Sequence, residues 1–497
     1  MRRTKILATV GPASSDTATL AALVRAGANA LRVNFSHGTD EEHRETMRRI
    51  DALRETESRP LALVADLQGP KIRLGELQPS PLRLDDGDSW RLDSSGRRGG
   101  RAGASVSLPE LGDAARPGDP ILLGDGAVEL VTESLDAGAV LTRVVHGGIV
   151  SSHAGVFLPR AHLRSSILGP KDRHDLGVAI AGGADFLALS FVRDARDVET
   201  ARRELGRHGR HGEVGLIAKI ERAEALGKIS EILRAADAIM VARGDLGIEV
   251  PLERLAIEQK MLVRRANEAA RPVIVATQML LSMVNAPRPT RAEATDVANA
   301  VLDGADAVML SEESAVGKYP VESVRWLDRI ATATEEEMAR HPRAREEASA
   351  DPGIETGVAA AAVRLSQDLR AAAIVTPTHS GRTARLVSSF RPWAPIWAMS
   401  SRAPTVRQLA LSWGVESIPC PKHLSLDALR QTAVEQIGPR VADREGRPLV
   451  LTAGYPLEGR PTNLVTVLPR PAEARRPALS TRRGSERRAK RTGRSRG

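Results

Sequence analysis

Cysteine is almost missing: Cys420 is the only one in 497 residues. No disulfide can form within the chain, and a cysteine-rich metal cluster is excluded. Aromatic residues make up only 2% of the chain, so its core has to be built from Ala, Val, Leu and Ile. No apolar run reaches the roughly 18 residues of a membrane-spanning helix. The N-terminus, beginning Met1-Arg2-Arg3, moves into a strand-like segment without the apolar stretch of a signal peptide. These absences together predict a cytoplasmic protein. No Ser/His/Asp order for nucleophilic catalysis and no cluster of His or Cys ligands stands out either.

One-sided charge is also missing from most of the chain. The formal net charge is +9. Residues 470–497 carry eleven Lys and Arg against two Glu, which accounts for the whole excess. The remainder is balanced, and the high isoelectric point belongs to a tail rich in Arg, Ser, Gly and Pro. That composition predicts a disordered extension. Nonspecific contact with a polyanion fits its charge, although a solvated extension without a dedicated role is the plainer reading.

What is present is alternation. Strand-like runs at residues 5–10, 30–35, 61–67, 185–191, 214–220, 238–243, 273–277 and 307–311 are separated by helical patterns. Eight strands, each followed by a helix, predict a closed parallel (β/α)₈ barrel. The alternation breaks once. Residues 74–165 hold short alternating runs with many Gly, Asp and Val, which predicts a small β-barrel lid domain inserted after strand three. The expected barrel therefore spans residues 1–73 and 166–345. A charged stretch up to residue 351 reads as a helix end and linker. A C-terminal α/β domain of regulatory type is expected over 352–469, with strands at 372–376, 396–400, 415–419, 449–452 and 464–467.

Polar residues gather at the ends of the barrel strands. Strand two ends in Arg32, Asn34, Ser36 and His37, and strand three in Asp66, Gln68, Lys71 and Arg73. Strand four ends in Ser190 and Arg193, strand five in Lys219 and Glu221, and strand six in Arg243, Gly244 and Asp245. Strands seven and eight end in Thr277, Gln278, Ser311, Glu312 and Glu313. A single Lys-x-Glu run is most often a surface pair, and Gly-Asp is a common turn. Seven consecutive strands with polar ends exceed what capping explains, and this face is where barrel enzymes work. Lys219 and Glu221 share parity on an extended strand. Glu221 and Asp245 suit Mg2+ or Mn2+ through carboxylate oxygens. Lys219, Arg32 and Arg73 around that ion suit phosphate and carboxylate groups. The Gly244 and Asp245 amides suit a carboxylate at a helix start.

These stretches resemble the pyruvate kinase family over residues 1 to about 467. The matching runs are Lys5-Ile-Leu-Ala-Thr-Val-Gly-Pro-Ala-Ser14, Leu31-Arg-Val-Asn-Phe-Ser-His-Gly38 and residues 240–251, followed by residues 276–280, 287–293 and 296–307. The resemblance implies transfer of a phosphoryl group from phosphoenolpyruvate to ADP, giving pyruvate and ATP in glycolysis. It implies that Glu221 and Asp245 bind the divalent ion, that Arg32 holds the substrate phosphate and that Lys219 stabilises the transferring group. Gly244, Asp245 and Thr277 would hold the carboxylate side, with Thr277 near the proton given to the enolate. Arg73, His37 and Asp125 would face the nucleotide. A homotetramer and a sugar-phosphate effector at Thr378, Ser380 and Thr383 are implied too, although simple helix capping also explains that loop.

Three departures from the family's pattern stand out. Many members bind K+ through residues matching Asn34, Ser36, Asp66 and Leu67. Here Asp66-Leu-Gln-Gly-Pro-Lys-Ile-Arg73 resembles the K+-independent branch, with the Lys71 ammonium supplying the charge that K+ would bring. Ala154 stands where the family's lid usually has a nucleotide-contacting lysine, with His153 or Arg160 as candidate substitutes. Phe157 replaces an asparagine in the same run. The nearest alternative functions are another barrel enzyme acting on phosphoenolpyruvate or pyruvate, and a catalytically weakened relative with a regulatory or scaffold role.

Overall fold

The computed structural model describes residues 2–124, 126–159, 161, 166–340, 353–422, 425–441, 446–455 and 461–469. The expected roles of Asp125, Arg160 and the basic tail lie outside the described residues. So do the linker from residue 341 onward and part of the last C-terminal loop.

The eight barrel strands are Lys5–Val10, Ala30–Asn34, Ala62–Asp66, Phe186–Leu189, Gly215–Ile220, Ala238–Ala242, Val273–Ala276 and Ala307–Leu310. They close into one ring in chain order, all parallel, and strand eight pairs back onto strand one. The ring interior follows from the shortage of aromatics. It is filled by Leu7, Ala30, Val64, Ala188, Ile217, Met240, Ile274 and Met309, with Phe186 the single aromatic side chain. A second layer of Leu, Ile, Val and Ala packs between the strands and the outer helices. Helix starts carry their own local signals. Asp16 caps Thr17–Ala26, and Thr39 with Glu42 forms a capping box for Asp40–Thr56. Thr290 with Glu293 does the same for Arg291–Asp303, satisfying backbone amides that the helix cannot pair.

The inserted segment leaves the barrel after strand three. Its strands Ser89–Asp93, Gly103–Ser105, Pro120–Leu123, Val128–Asp136, Ala139–His146 and Val156–Phe157 form a six-stranded sheet. Leu82–Leu84 and Gly148–Val150 form a separate antiparallel pair. The long hairpin turns at Ala137 and Gly138, both at positive φ, as a two-residue turn between twisted strands requires. This unit has its own core around Trp90, Leu92, Leu111, Ile121 and Leu130.

In the C-terminal unit, Val415–Pro419, Ile396–Ser400, Ala373–Pro377 and Leu449–Ala453 run parallel, and Leu464–Leu468 joins the edge antiparallel. A short turn, Leu409–Leu411, brings Ala410 and Leu411 into the apolar cluster of the ring interior. Buried polar contacts fix this seam. Asp185 accepts from Arg407 Nε at 2.7 Å and pairs with Arg54. Asp306 pairs with Arg391 at 3.0 Å and accepts from the Trp413 amide at 3.0 Å. Lys5 donates to the Val415 carbonyl at 2.7 Å. Among the described residues, no helix is long and apolar enough to cross a membrane.

Candidate active site

The polar strand ends converge as the barrel rule requires, and their partners are specific. Lys219 leaves strand five and places Nζ 3.1 Å from Asp66 Oδ1, 3.0 Å from Glu221 Oε1 and 2.7 Å from Ser190 Oγ. Burial alone would lower its pKa. The Asp66 and Glu221 charges outweigh that, and the net shift is upward, so the ammonium stays charged at neutral pH. Asp66 Oδ2 accepts from Arg32 Nε at 2.7 Å, and Arg32 Nη1 donates to Thr9 Oγ1 at 3.0 Å. Burial works to raise Asp66, but Arg32 and Lys219 together hold it below the usual carboxylate range. Thr9 lies on strand one, the one strand credited with no polar end from sequence. It has the inward parity of Leu7, and that period-two relation was the available signal.

Glu221 is the electrostatic opposite of Asp66. Burial raises its pKa, and nearby Asp245 and Asp66 add to the rise, against the pull of Lys219. Its Oε2 accepts the Phe191 amide at 2.7 Å, and Phe191 has φ 60°. Asp245, in the short helix Arg243–Glu249, takes Lys71 Nζ at 3.4 Å. The same ammonium lies over the Phe157 ring, 5.6 Å from its centroid. Two carboxylates thus lie close enough for Asp245 to add to the rise at Glu221, and a lysine reaches each of them. A divalent ion fits that donor set. Among the described residues, no cluster of three or more His, Cys, Asp or Glu side chains is arranged for a metal. Two carboxylates completed by substrate and water oxygens are the usual manner of Mg2+.

Thr277 is held in a conformation that a β-branched residue rarely adopts, with φ 68°, and Gln278 follows at φ 52°. Such a conformation costs about 1–3 kcal/mol and persists where its surroundings enforce it. The enforcing contacts run from Gly244 N to Thr277 Oγ1 at 2.8 Å, and from Arg243 Nη2 to the Thr277 carbonyl at 2.8 Å. Arg243 is pinned in turn by Asp296 at 2.7 Å. The Gly244 amide, expected to face a substrate carboxylate, therefore donates to the Thr277 hydroxyl here. Glu313, at the end of strand eight, is also structural: it accepts from the Leu280 and Ser311 amides at 3.0 and 2.7 Å. Arg193 pairs with Asp197 at 2.8 Å.

Between lid and barrel lies a narrow open cleft, lined among others by Lys71, Phe157, Phe191, Arg193 and Arg222. Arg73 donates to the His153 carbonyl at 3.1 Å, which puts a guanidinium beside Ala154. His37 is lowered by burial and by repulsion from Arg73, Arg32 and Lys71, a sign of a strongly positive corner. Of the proposed K+ ligands, the Asn34 side-chain oxygen accepts from Ser36 N at 3.1 Å. The Leu67 carbonyl accepts from Ser190 Oγ at 2.8 Å. In the C-terminal loop, Thr378 Oγ1 accepts from Gly381 N at 3.0 Å, the Ser380 carbonyl accepts from Arg385 at 3.0 Å, and Thr383 bonds Thr462 at 2.8 Å. Thr378 thus closes a turn onto Gly381, and the helix Arg382–Ser389 that follows has no side-chain cap, whereas Thr383 is buried against Thr462.

This arrangement matches known proteins over nearly its whole length. The family model described as pyruvate kinase, barrel domain, matches residues 1–324, and pyruvate kinase, alpha/beta domain, matches residues 356–468. The chain belongs to the pyruvate kinase family. A pyruvate kinase of Agrobacterium vitis is 44% identical over 465 residues, covering 92% of this chain and 95% of the relative. One from Geobacillus stearothermophilus is 40% identical over 470 residues, covering 94% and 80% respectively. A solved structure of a pyruvate kinase from Cryptosporidium parvum superposes with a TM-score of 0.87 at 30% identity, covering 95% of this chain and 96% of that one. Fold class, family and enzyme class expected from the sequence are thereby established, and the family's use of a divalent metal comes with them.

Proposed function

We propose that the chain transfers the phosphoryl group of phosphoenolpyruvate to ADP, yielding pyruvate and ATP as a glycolytic phosphotransferase. The observation that carries this is the Lys219 ammonium, held between Asp66 and Glu221 beside Arg32, on the barrel face that also presents Asp245 and Thr277. A β-phosphate oxygen of ADP attacks phosphorus, and the bond from phosphorus to the enol oxygen breaks. Arg32 binds the phosphoryl oxygens. Lys219 stabilises charge on the transferring group and on the departing enolate oxygen. Such a reaction needs positioned positive charge more than covalent help from the protein. The enolate carbon then takes a proton on the side facing Thr277. A bound Mg2+ or Mn2+, held by Glu221 and Asp245, supplies further charge neutralisation. Arg73, His37 and Asp125 serve the nucleotide.

Lys71 supports K+-independent activity, because a fixed cation already stands 3.4 Å from Asp245, one of the two proposed metal ligands. The commitment of Asp66 to Arg32 and Lys219 supports the same reading. A homotetramer, a cytoplasmic location, a sugar-phosphate effector at the 378–383 loop and nonspecific polyanion contact by the tail complete the proposal. The deciding assay couples pyruvate release from phosphoenolpyruvate and ADP to NADH oxidation, with and without Mg2+ and K+. Pyruvate formation that needs ADP and Mg2+ is expected. A folded protein that releases no pyruvate would favour the scaffold alternative, and release without ADP would favour a different barrel enzyme.

A further inference from the structure

Arg222 follows Glu221 directly and is buried. Its Nη1 lies 3.0 Å from Glu249 Oε1, and the two side chains are 7% and 2% exposed. Its Nη2 donates to the Ala161 carbonyl at 2.9 Å. Each partner belongs to a different working part. Glu249 closes the short helix that begins at Arg243, one turn after Asp245, and side chains four apart share a helix face. Ala161 lies where the chain returns from the lid to the barrel, and its side chain packs in the lid core. The guanidinium also lines the cleft beside Lys71, Phe157 and Phe191. Lys71 reaches Asp245, and the Phe191 amide reaches Glu221. Among the described residues, Arg222 Nε and both Glu249 oxygens make no aligned hydrogen bond. The pair is therefore held by close buried approach, without an aligned bond between the two side chains.

We propose that Arg222 is a positioning residue that links the lid's return segment to the two metal-binding carboxylates. One guanidinium, on the residue after Glu221, holds the Asp245 helix through Glu249 and the lid return through Ala161. Movement of the lid toward the barrel then bears on the spacing of Glu221 and Asp245, and metal binding in turn biases the lid. The proposal rests on Glu221 and Asp245 being the metal ligands.

The test measures Mn2+ binding to the full chain without substrate, together with proteolytic cleavage of the lid return with and without Mn2+. Glu221→Gln serves as the reference. Arg222→Met is expected to weaken Mn2+ binding about tenfold and to remove the protection that Mn2+ gives the lid return. Arg222→Lys, which keeps charge but loses the fork, should recover part of the affinity. Glu249→Gln should weaken Mn2+ binding while leaving lid cleavage close to wild type. The Arg222→Met/Glu249→Gln double variant should bind Mn2+ no worse than Arg222→Met alone, since the two act as a unit. If Arg222→Met fails to fold, Arg222→Lys and Glu249→Gln carry the same comparison. Loss of binding in Glu221→Gln, with wild-type Mn2+ affinity in the folded position-222 and position-249 variants, overturns the link and leaves the ligand assignment standing. Unchanged binding in Glu221→Gln overturns the ligand assignment and the link with it.

Discussion

Removing the Lys219 ammonium separates its two jobs. In the resting protein it balances Asp66 at 3.1 Å and Glu221 at 3.0 Å. With an effective dielectric of about 20, each contact is worth about 5 kcal/mol before the desolvation of the buried charges is subtracted. Breaking a buried pair from one side typically costs about 3–5 kcal/mol. Asp66 keeps Arg32 at 2.7 Å, so most of the unbalanced charge falls on Glu221, whose pKa burial already raises. In the proposed reaction, the same ammonium meets the charge that develops on the phosphoryl group and the enolate. Loss of one such preorganised donor costs about 100- to 1,000-fold in kcat. Lys219→Met is therefore expected to lose kcat on that scale. Mn2+ affinity should stay level or rise, because a competing cation has left Glu221. Steady-state kinetics alongside Mn2+ titration reads both, and Lys219→Arg separates charge from position. A folded Lys219→Met protein with kcat within tenfold of wild type refutes the reasoning, and so does one that loses Mn2+ binding.

Lys71→Glu places a carboxylate beside Asp245, where the ammonium now stands 3.4 Å away. Activity in K+-free buffer should fall at least about tenfold and recover with added K+; wild type that already demands K+ would refute the premise. Ala154→Lys, next to the Arg73 and His153 contact, should lower KM for ADP about two- to fivefold, the worth of a half-exposed ion pair. An unchanged KM counts against a missing nucleotide contact. Glu249 is pushed up to about 7, by burial first, with Asp245 and Glu224 adding to the rise against Arg222. A carboxyl raised in the fold contributes stability below its unfolded pKa and loses it as pH climbs through the folded value. That makes about 3 kcal/mol between pH 4.5 and 7. Glu249→Gln lacks this loss, so its Tm relative to wild type should rise from pH 5 to pH 8; a flat difference refutes the shift.

The sequence determined the barrel with little ambiguity. Strand one was readable to the residue as Lys5–Val10, because a short apolar run bounded by polar residues has few other ways to be buried. The helix Thr17–Ala26 was equally legible from its helical pattern between strands one and two. The polar strand ends were legible for the same reason: parity and chain direction place them on one face once the barrel is accepted. Partner choice was not legible. Whether Lys71 meets Asp66 or Asp245, 174 residues away, depends on the radial angle at which each strand end leaves the ring. Thr9 was missed because its parity with Leu7 places it in the ring interior, and its polar role shows only once Arg32 is seen beside it. Arg222 and Glu249 carried no mark in the sequence, and only the tertiary structure buries them together next to Glu221 and the Asp245 helix. Local patterns fix which face a residue occupies. Which charges neutralise one another is set by distances of a few ångströms between strands far apart in the chain, and only the closed barrel supplies those.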